Sequence, residues 1–152
     1  MAEGLNDAIM LNKLRQIIVI LIALGLTLYG LARISGVATL CLQLLGVIDS
    51  PELAAASEDL IAALPDMNAN AFIPMEPNIY LGYSFAMGVV LFLGGVLVLA
   101  RQRGIGLALI FGYCAMFGLM FVNYQMFNAK IMHLAIVSLL ALILTLLIRK
   151  PR

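Results

Sequence analysis

The chain has 152 residues, 64% of them hydrophobic and only 11% charged, with a mean hydropathy of +1.09. Soluble domains carry roughly 45–50% apolar and about 25% charged residues, so a water-soluble globular fold is excluded. The formal net charge of +1 gives no footing for nucleic-acid binding, which needs a strong basic field.

A membrane-crossing helix needs about 20 mostly apolar residues to traverse a hydrocarbon core of about 30 Å. Uncharged runs occupy 16–32, 77–100, 104–129 and 131–148. In lipid the backbone must satisfy its own hydrogen bonds, so each run is expected to be helical; the runs are continuous rather than alternating, which disfavours a β-barrel. The predicted fold is all-α, a four-helix transmembrane bundle of one domain (1–152), with spans at about 16–34, 79–100, 104–125 and 130–148 and an outer loop over 35–78.

Charge placement orients these spans. Lys13 and Arg15 precede the first, Arg101 and Arg103 separate the second and third, and Arg149, Lys150 and Arg152 follow the fourth. Basic residues stay on the cytoplasmic side of short loops, so both termini and the 101–103 turn are expected inside, with 35–78 outside. The expected location is a cell membrane, the bacterial inner membrane in particular. Asp49, Glu52, Glu58, Asp59, Asp66 and Glu76 all fall in that outer segment.

Residues 1–15 are expected to be a cytoplasmic lead. The first run has the basic flank of a signal peptide, and Gly36-Val37-Ala38 offers small residues for cleavage. Its 16-residue apolar core over 17–32 is long for a signal, and Arg33 intervenes; a retained span is the expectation. Helix from Gln16 to Ile48 would be about 50 Å long, so a bend is expected at Gly36, with 37–48 lying at the outer interface or folding back. Arg33 then stands at the outer end of the span, reaching headgroups or pairing with Glu76 or Glu58.

Ser50-Pro51-Glu52 reads as a helix start, with a capping hydroxyl, Pro at the first position and an acid in the first turn. The predicted amphipathic helix runs from Pro51 to about Leu64 and stops at Pro65, its apolar side marked by Leu53, Leu60, Ile61 and Leu64. It is expected to rest on the outer face of the bundle or membrane.

On the third span Gly104, Ala108, Gly112, Ala115 and Gly118 recur at steps of three and four. Ser84, Gly88 and Gly95 do so on the second. Such stripes let membrane helices approach closely; packing within the bundle is expected, with a seam for a partner as the alternative. The expected partners are the lipid bilayer and other membrane subunits or a second copy.

Tyr83, Asn123, Tyr124 and His133 gather polar groups at one depth. They read either as an interfacial belt or as a small outward-facing pocket, and they are the candidate cofactor-binding residues, although no cofactor is predicted. His133 is the only histidine, which removes bis-histidine haem and leaves too few ligands for zinc. Met116, Met120, Met126 and Met132 offer soft donors for Cu(I), but packing is the expected role and no metal site is predicted. The runs 77–100, 104–129 and 131–148 contain no Asp, Glu, Lys or Arg, so no catalytic residues are assigned and no enzyme is expected.

The lead Leu14-Arg15, the exit Leu28-Tyr29-Gly30-Leu31-Ala32-Arg33, the outer loop and the three closely spaced later spans resemble the DoxX-like group of small four-helix bacterial membrane proteins. The resemblance implies a redox accessory linked to quinone for some members. The functional expectation is an integral membrane protein acting as a non-catalytic accessory or assembly subunit. The alternatives are a DoxX-like accessory binding quinone or lipid at the outer face, and an oligomeric transporter or channel subunit.

Overall fold

A computed structural model describes residues 2–125 and 130–148. Its five helices are α1 (Ala2–Leu44), α2 (Pro51–Ala69), α3 (Pro77–Leu99), α4 (Arg103–Tyr124) and α5 (Lys130–Ile148), and no strand occurs among the described residues. Four segments, Ile9–Leu44, Pro77–Leu99, Arg103–Tyr124 and Lys130–Ile148, are long and apolar enough to cross a membrane. Large apolar side chains cover the outside of the bundle, among them Leu21, Leu28, Ile105, Leu119, Leu142 and Leu146, as expected where the surrounding solvent is lipid.

α1 departs most from expectation. It is one helix of 43 residues, about 65 Å long at 1.5 Å per residue, and the lead is part of it. The expected bend at Gly36 is absent. A helical glycine costs only about 1 kcal/mol, and packing on both sides outweighs it: Ile34 is wedged against Gly88 of α3, while Val37 and Leu40 face α2 across a groove. The real stop is ten residues later. Gly46 adopts a left-handed φ of +69°, its N–H bonds to the Gln43 carbonyl, and the Val47 N–H bonds to that of Leu42, the Schellman closure of a helix C-terminus.

α2 also outruns its predicted end. Pro65 lies inside the helix, which continues to Ala69. Pro65 is exposed, while its neighbour Leu64 is buried and the next turn is anchored by Asn68. The Asn68 side chain donates to the Met75 carbonyl (2.9 Å) and accepts from the Met75 N–H (3.0 Å). The buried side of α2 passes through Ser57 and Leu64, and Ile61, expected on it, is exposed. Ser50 stands at the N-cap of α2, but its side chain makes no capping bond to the backbone; its hydroxyl donates to the Glu52 carboxylate at 2.7 Å.

Glycines set the closest helix approaches. A Cβ on Gly30 would lie 2.5 Å from the Phe92 nitrogen, and one on Gly95 would lie 2.9 Å from the Thr27 nitrogen, so α1 and α3 touch backbone to backbone. Gly94 and Gly106 do the same for α3 and α4: a Cβ on Gly106 would meet the Gly94 carbonyl at 2.8 Å. The expected stripe Ser84, Gly88 and Gly95 thus packs inside the bundle. The stripe on α4 does not. Gly104, Ala108 and Ala115 are exposed; among the described residues nothing lies within 4 Å of a Cβ on Gly104 or Gly118, and Gly112 has only Val90 at 3.9 Å. Large side chains Ile110, Tyr113 and Phe117 fill the inner face of α4, which leaves the small ones outside.

The two ends of the bundle are distinct. Arg15 Nε donates to the Leu147 carbonyl, bringing the start of α1 to the end of α5, and Gln16, Arg101 and Arg103 border one cleft at that same end. The third basic cluster, Arg149, Lys150 and Arg152, lies outside the described residues. At the opposite end sit α2 and the 70–76 loop.

Candidate functional site

The glycine contacts fix the depth of Arg33. Gly88, the midpoint of α3, lies against Arg33 and Ile34, with a Cβ there 3.3 Å from the Arg33 Cβ. The Arg33 guanidinium carbon stands 5.8 Å from the ring centre of Tyr113, at the middle of α4, and 5.3 Å from that of Phe117. Arg33 is therefore half-way along two spans, not at the end of one. The register of α1 against α3 sets this depth, with Gly30 packed on Phe92 and Gly88 on Arg33 and Ile34.

There it has no carboxylate partner among the described residues. The expected pairing with Glu76 or Glu58 is not formed, and Arg33 Nε is buried without a hydrogen-bond partner. A cation in a membrane helix centre costs about 2.5–3.5 kcal/mol on insertion scales. Cation–π contact returns about 0.5–2 kcal/mol, so the two rings offset only part of that cost.

Arg33 borders a cavity of about 220 Å³ that extends toward the α2 end. Tyr29 from α1, Tyr80 and Ser84 from α3, Phe117, Met120, Phe121 and Tyr124 from α4, Met67 from α2, and Lys130 and His133 from α5 complete the wall. The i, i+4 pairs Tyr29/Arg33 and Tyr80/Ser84 put both members on one helix face, and 117, 120, 121 and 124 form the matching face of α4. The Tyr29 and His133 rings are stacked, centroids 6.1 Å apart and 9° from parallel, which closes the α1–α5 side. Tyr80 meets Tyr124 edge to face at 6.2 Å. The Tyr124 hydroxyl, like Arg33 Nε, is buried without a hydrogen-bond partner among the described residues.

The four residues proposed from sequence divide two and two. Tyr124 and His133 line the cavity; Tyr83 and Asn123 do not. The Tyr83 hydroxyl donates to the Met116 carbonyl at 2.7 Å, pinning α3 to α4. Asn123 holds the loop: its amide donates to the Ile73 carbonyl (2.9 Å), its side-chain oxygen accepts from the Ile73 N–H (2.8 Å), and its own carbonyl accepts from the Phe72 N–H (2.9 Å). Gln125 adds a bond to the Asn70 carbonyl at 2.9 Å. Among the proposed soft-metal donors, Met120 lines the cavity, Met132 is 63% exposed, and Met126 lies outside the described residues.

Tyr29, Tyr80, Ser84 and Arg33 were not grouped by sequence reasoning. Arg33 with Tyr29 one turn before it was the available signal, hidden by the assumption that α1 ended there.

Comparison with protein-family models, with curated proteins and with solved structures finds no match to this chain.

Proposed function

We propose that this multi-pass membrane protein binds a small amphipathic molecule, lipid-like or quinone-like, in the cavity beside Arg33. The observation that carries this reading is the position of Arg33: a permanent cation at mid-span, its Nε without a protein partner, at the inner wall of a cavity lined by five aromatic rings and His133. Intramembrane charges that face a cavity mark ligand pathways and sites, and apolar pockets with a few convergent polar groups are the usual form of a small-molecule site. The positive-inside rule puts the Arg101 end in the cytoplasm, so the cavity opens toward the outer leaflet. The resemblance to DoxX-like proteins favours a quinone-linked accessory without catalysis of its own. Protein purified in mild detergent should yield one amphipathic species near stoichiometry in an organic extract analysed by mass spectrometry. Equal recovery from wild type and from a Ser84→Phe variant, in which a ring fills the cavity, overturns the reading.

A second reading rests on the outward stripe of α4. Gly104, Ala108 and Ala115 are exposed small residues, and nothing among the described residues lies within 4 Å of a Cβ on Gly104, which suits a subunit of a larger membrane assembly. In a Cys41→Ser/Cys114→Ser background, native membranes treated with an added oxidant should join Ala108→Cys to the same residue of a second copy as a disulfide, and should not do so for Leu142→Cys on α5. Equal crosslinking at both positions removes the support.

A further inference from the structure

Arg33 belongs to two cavities at once. Beyond the bundle pocket lies a groove of about 490 Å³ between α1, α2 and α3, and Arg33, Tyr80 and Ser84 form the wall common to both. The groove exists because α1 runs on past Gly36: its continuation is one side, α2 is the roof and the start of α3 is the floor. Its other walls are Val37, Leu40, Leu60 and Leu81, and the helix from Arg33 to Leu40 measures about 10 Å. Both linings are mostly apolar, and the groove is the more apolar of the two.

Charge is unevenly divided between them. Among the described residues no Asp or Glu lines the pocket, whereas Arg33 and Lys130 do. The one acid of the groove, Asp59, is exposed on α2. A guanidinium keeps its charge in any protein environment and presents N–H donors in a plane suited to carboxylate or phosphate. A neutral quinone would accept one hydrogen bond and leave the charge uncompensated; an anion supplies both.

Building on the pocket reading above, we infer that the ligand is an anionic amphiphile. Its carboxylate or phosphate head is held at Arg33, and its apolar chain lies in the groove beneath α2. Arg33 is the residue that selects charge, and Leu40 and Leu60 select for the chain.

Full-length protein in a neutral detergent is titrated, by tryptophan-free methods such as microscale thermophoresis, with five probes: undecanoic acid, a lysophosphatidic acid of similar chain length, undecanol, decyl-benzoquinone and inorganic phosphate. Both acids should bind about 10-fold or more tighter than the alcohol, the range a charge-assisted hydrogen bond supplies, and inorganic phosphate should bind far more weakly than either. If the carboxylate binds and the lysophosphatidate does not, or the reverse, the head is assigned to the one that binds and the inference stands. Arg33→Gln should abolish the preference for acid over alcohol, and Arg33→Lys should keep part of it. Leu40→Trp, which narrows the groove without touching Arg33, should weaken both acids while leaving phosphate unchanged, and its thermal unfolding reports whether it folds. Undecanol equal to the acids, or the quinone tighter than both, overturns the anion inference and leaves the pocket reading intact. Free phosphate binding as tightly as the lysophosphatidate overturns the role of the groove. Binding of none of the five overturns the inference and the pocket reading together.

Discussion

Toward the Arg101 end, Gly94 and Gly106 bring α3 and α4 so close that a Cβ on either glycine would meet the other's carbonyl oxygen at 3.1 Å or less. Toward the α2 end the same helices meet through Tyr80, Tyr124, Phe117 and Phe121, and a cavity opens among these larger side chains. In one half of the bundle α3 and α4 are held by backbone contact. The other is held by side chains, by three loop-binding amides and by α2. That contrast can be tested by placing the same kind of change in each half.

The largest effect belongs to the glycine contact. Gly106→Leu forces side-chain atoms into the Gly94 carbonyl and the Val98 backbone. Overpacking costs about 1–3 kcal/mol where side chains can yield, and backbone cannot, so about 3 kcal/mol or more is expected, read as failure to fold in detergent. Gly118→Leu on the same helix, with nothing within 4 Å of its Cβ, should change stability by less than about 0.5 kcal/mol. Similar losses for both would show that depth in the membrane, not helix contact, sets the cost.

Arg33→Met should act in the opposite direction. An unpaired cation is exchanged for an apolar chain of similar length, and insertion scales place the difference near 2.5–3.5 kcal/mol at a helix centre. Because the Tyr113 and Phe117 rings return part of this, a gain of about 1–2 kcal/mol in unfolding stability is expected, together with loss of ligand binding. A loss of stability instead would make Arg33 a structural strut, and the contrast between the two halves would disappear.

How far the sequence revealed this arrangement depends on the signal each part left. Four spans and the helix beginning at Pro51 were legible, because apolar length and the Ser-Pro-Glu start are local. The inward stripe Ser84, Gly88 and Gly95 was legible as periodicity. That α1 runs through Gly36 and stops at Gly46 was not: glycine is a common helix stop at either position, and the contact of Ile34 with Gly88 is not local. The depth of Arg33, and with it the site, follows from the register of α1 against α3, which is not local either. The α4 stripe had the right spacing but the wrong face, since the bulk of Ile110, Tyr113 and Phe117 determines which side turns inward.

A middle-sized effect should fall on the loop clamps. Asn123→Ala removes two hydrogen bonds to Ile73, each worth about 0.5–1.5 kcal/mol net. The loss is local: proteolysis within 70–76 should accelerate several-fold while the thermal midpoint of the bundle moves little. A fall in the global midpoint as large as that of Gly106→Leu would mean that the two halves unfold as one unit.

Arg101 tests the tight half from its turn. Its φ of +64° places a side chain where glycine is favoured, in a Schellman closure formed by Arg101 N–H to Val98 and Gln102 N–H to Leu97. Arg101→Gly relieves about 1 kcal/mol of left-handed strain, offset in part by glycine's greater unfolded-state freedom, so a gain below about 1 kcal/mol is expected. Destabilisation would show that the arginine is retained for a contact at the basic end.

The smallest effect is at the start of α2. The Ser50 hydroxyl donates to the Glu52 carboxylate, and that bond, with a lesser contribution from the Glu52 backbone N–H, holds the acid below its ordinary range. A carboxylate whose folded pKa is depressed adds stability that is present above its unfolded value and is lost as pH falls through the folded value. Hydrogen exchange over residues 52–56 should therefore quicken slightly, at equal intrinsic rate, as pH drops below the ordinary carboxylate range, while α3 and α4 are unchanged. Ser50→Ala should abolish most of that dependence. If exchange in α3 and α4 responds alongside it, α2 is coupled to the glycine-packed half far more tightly than its few anchoring contacts suggest.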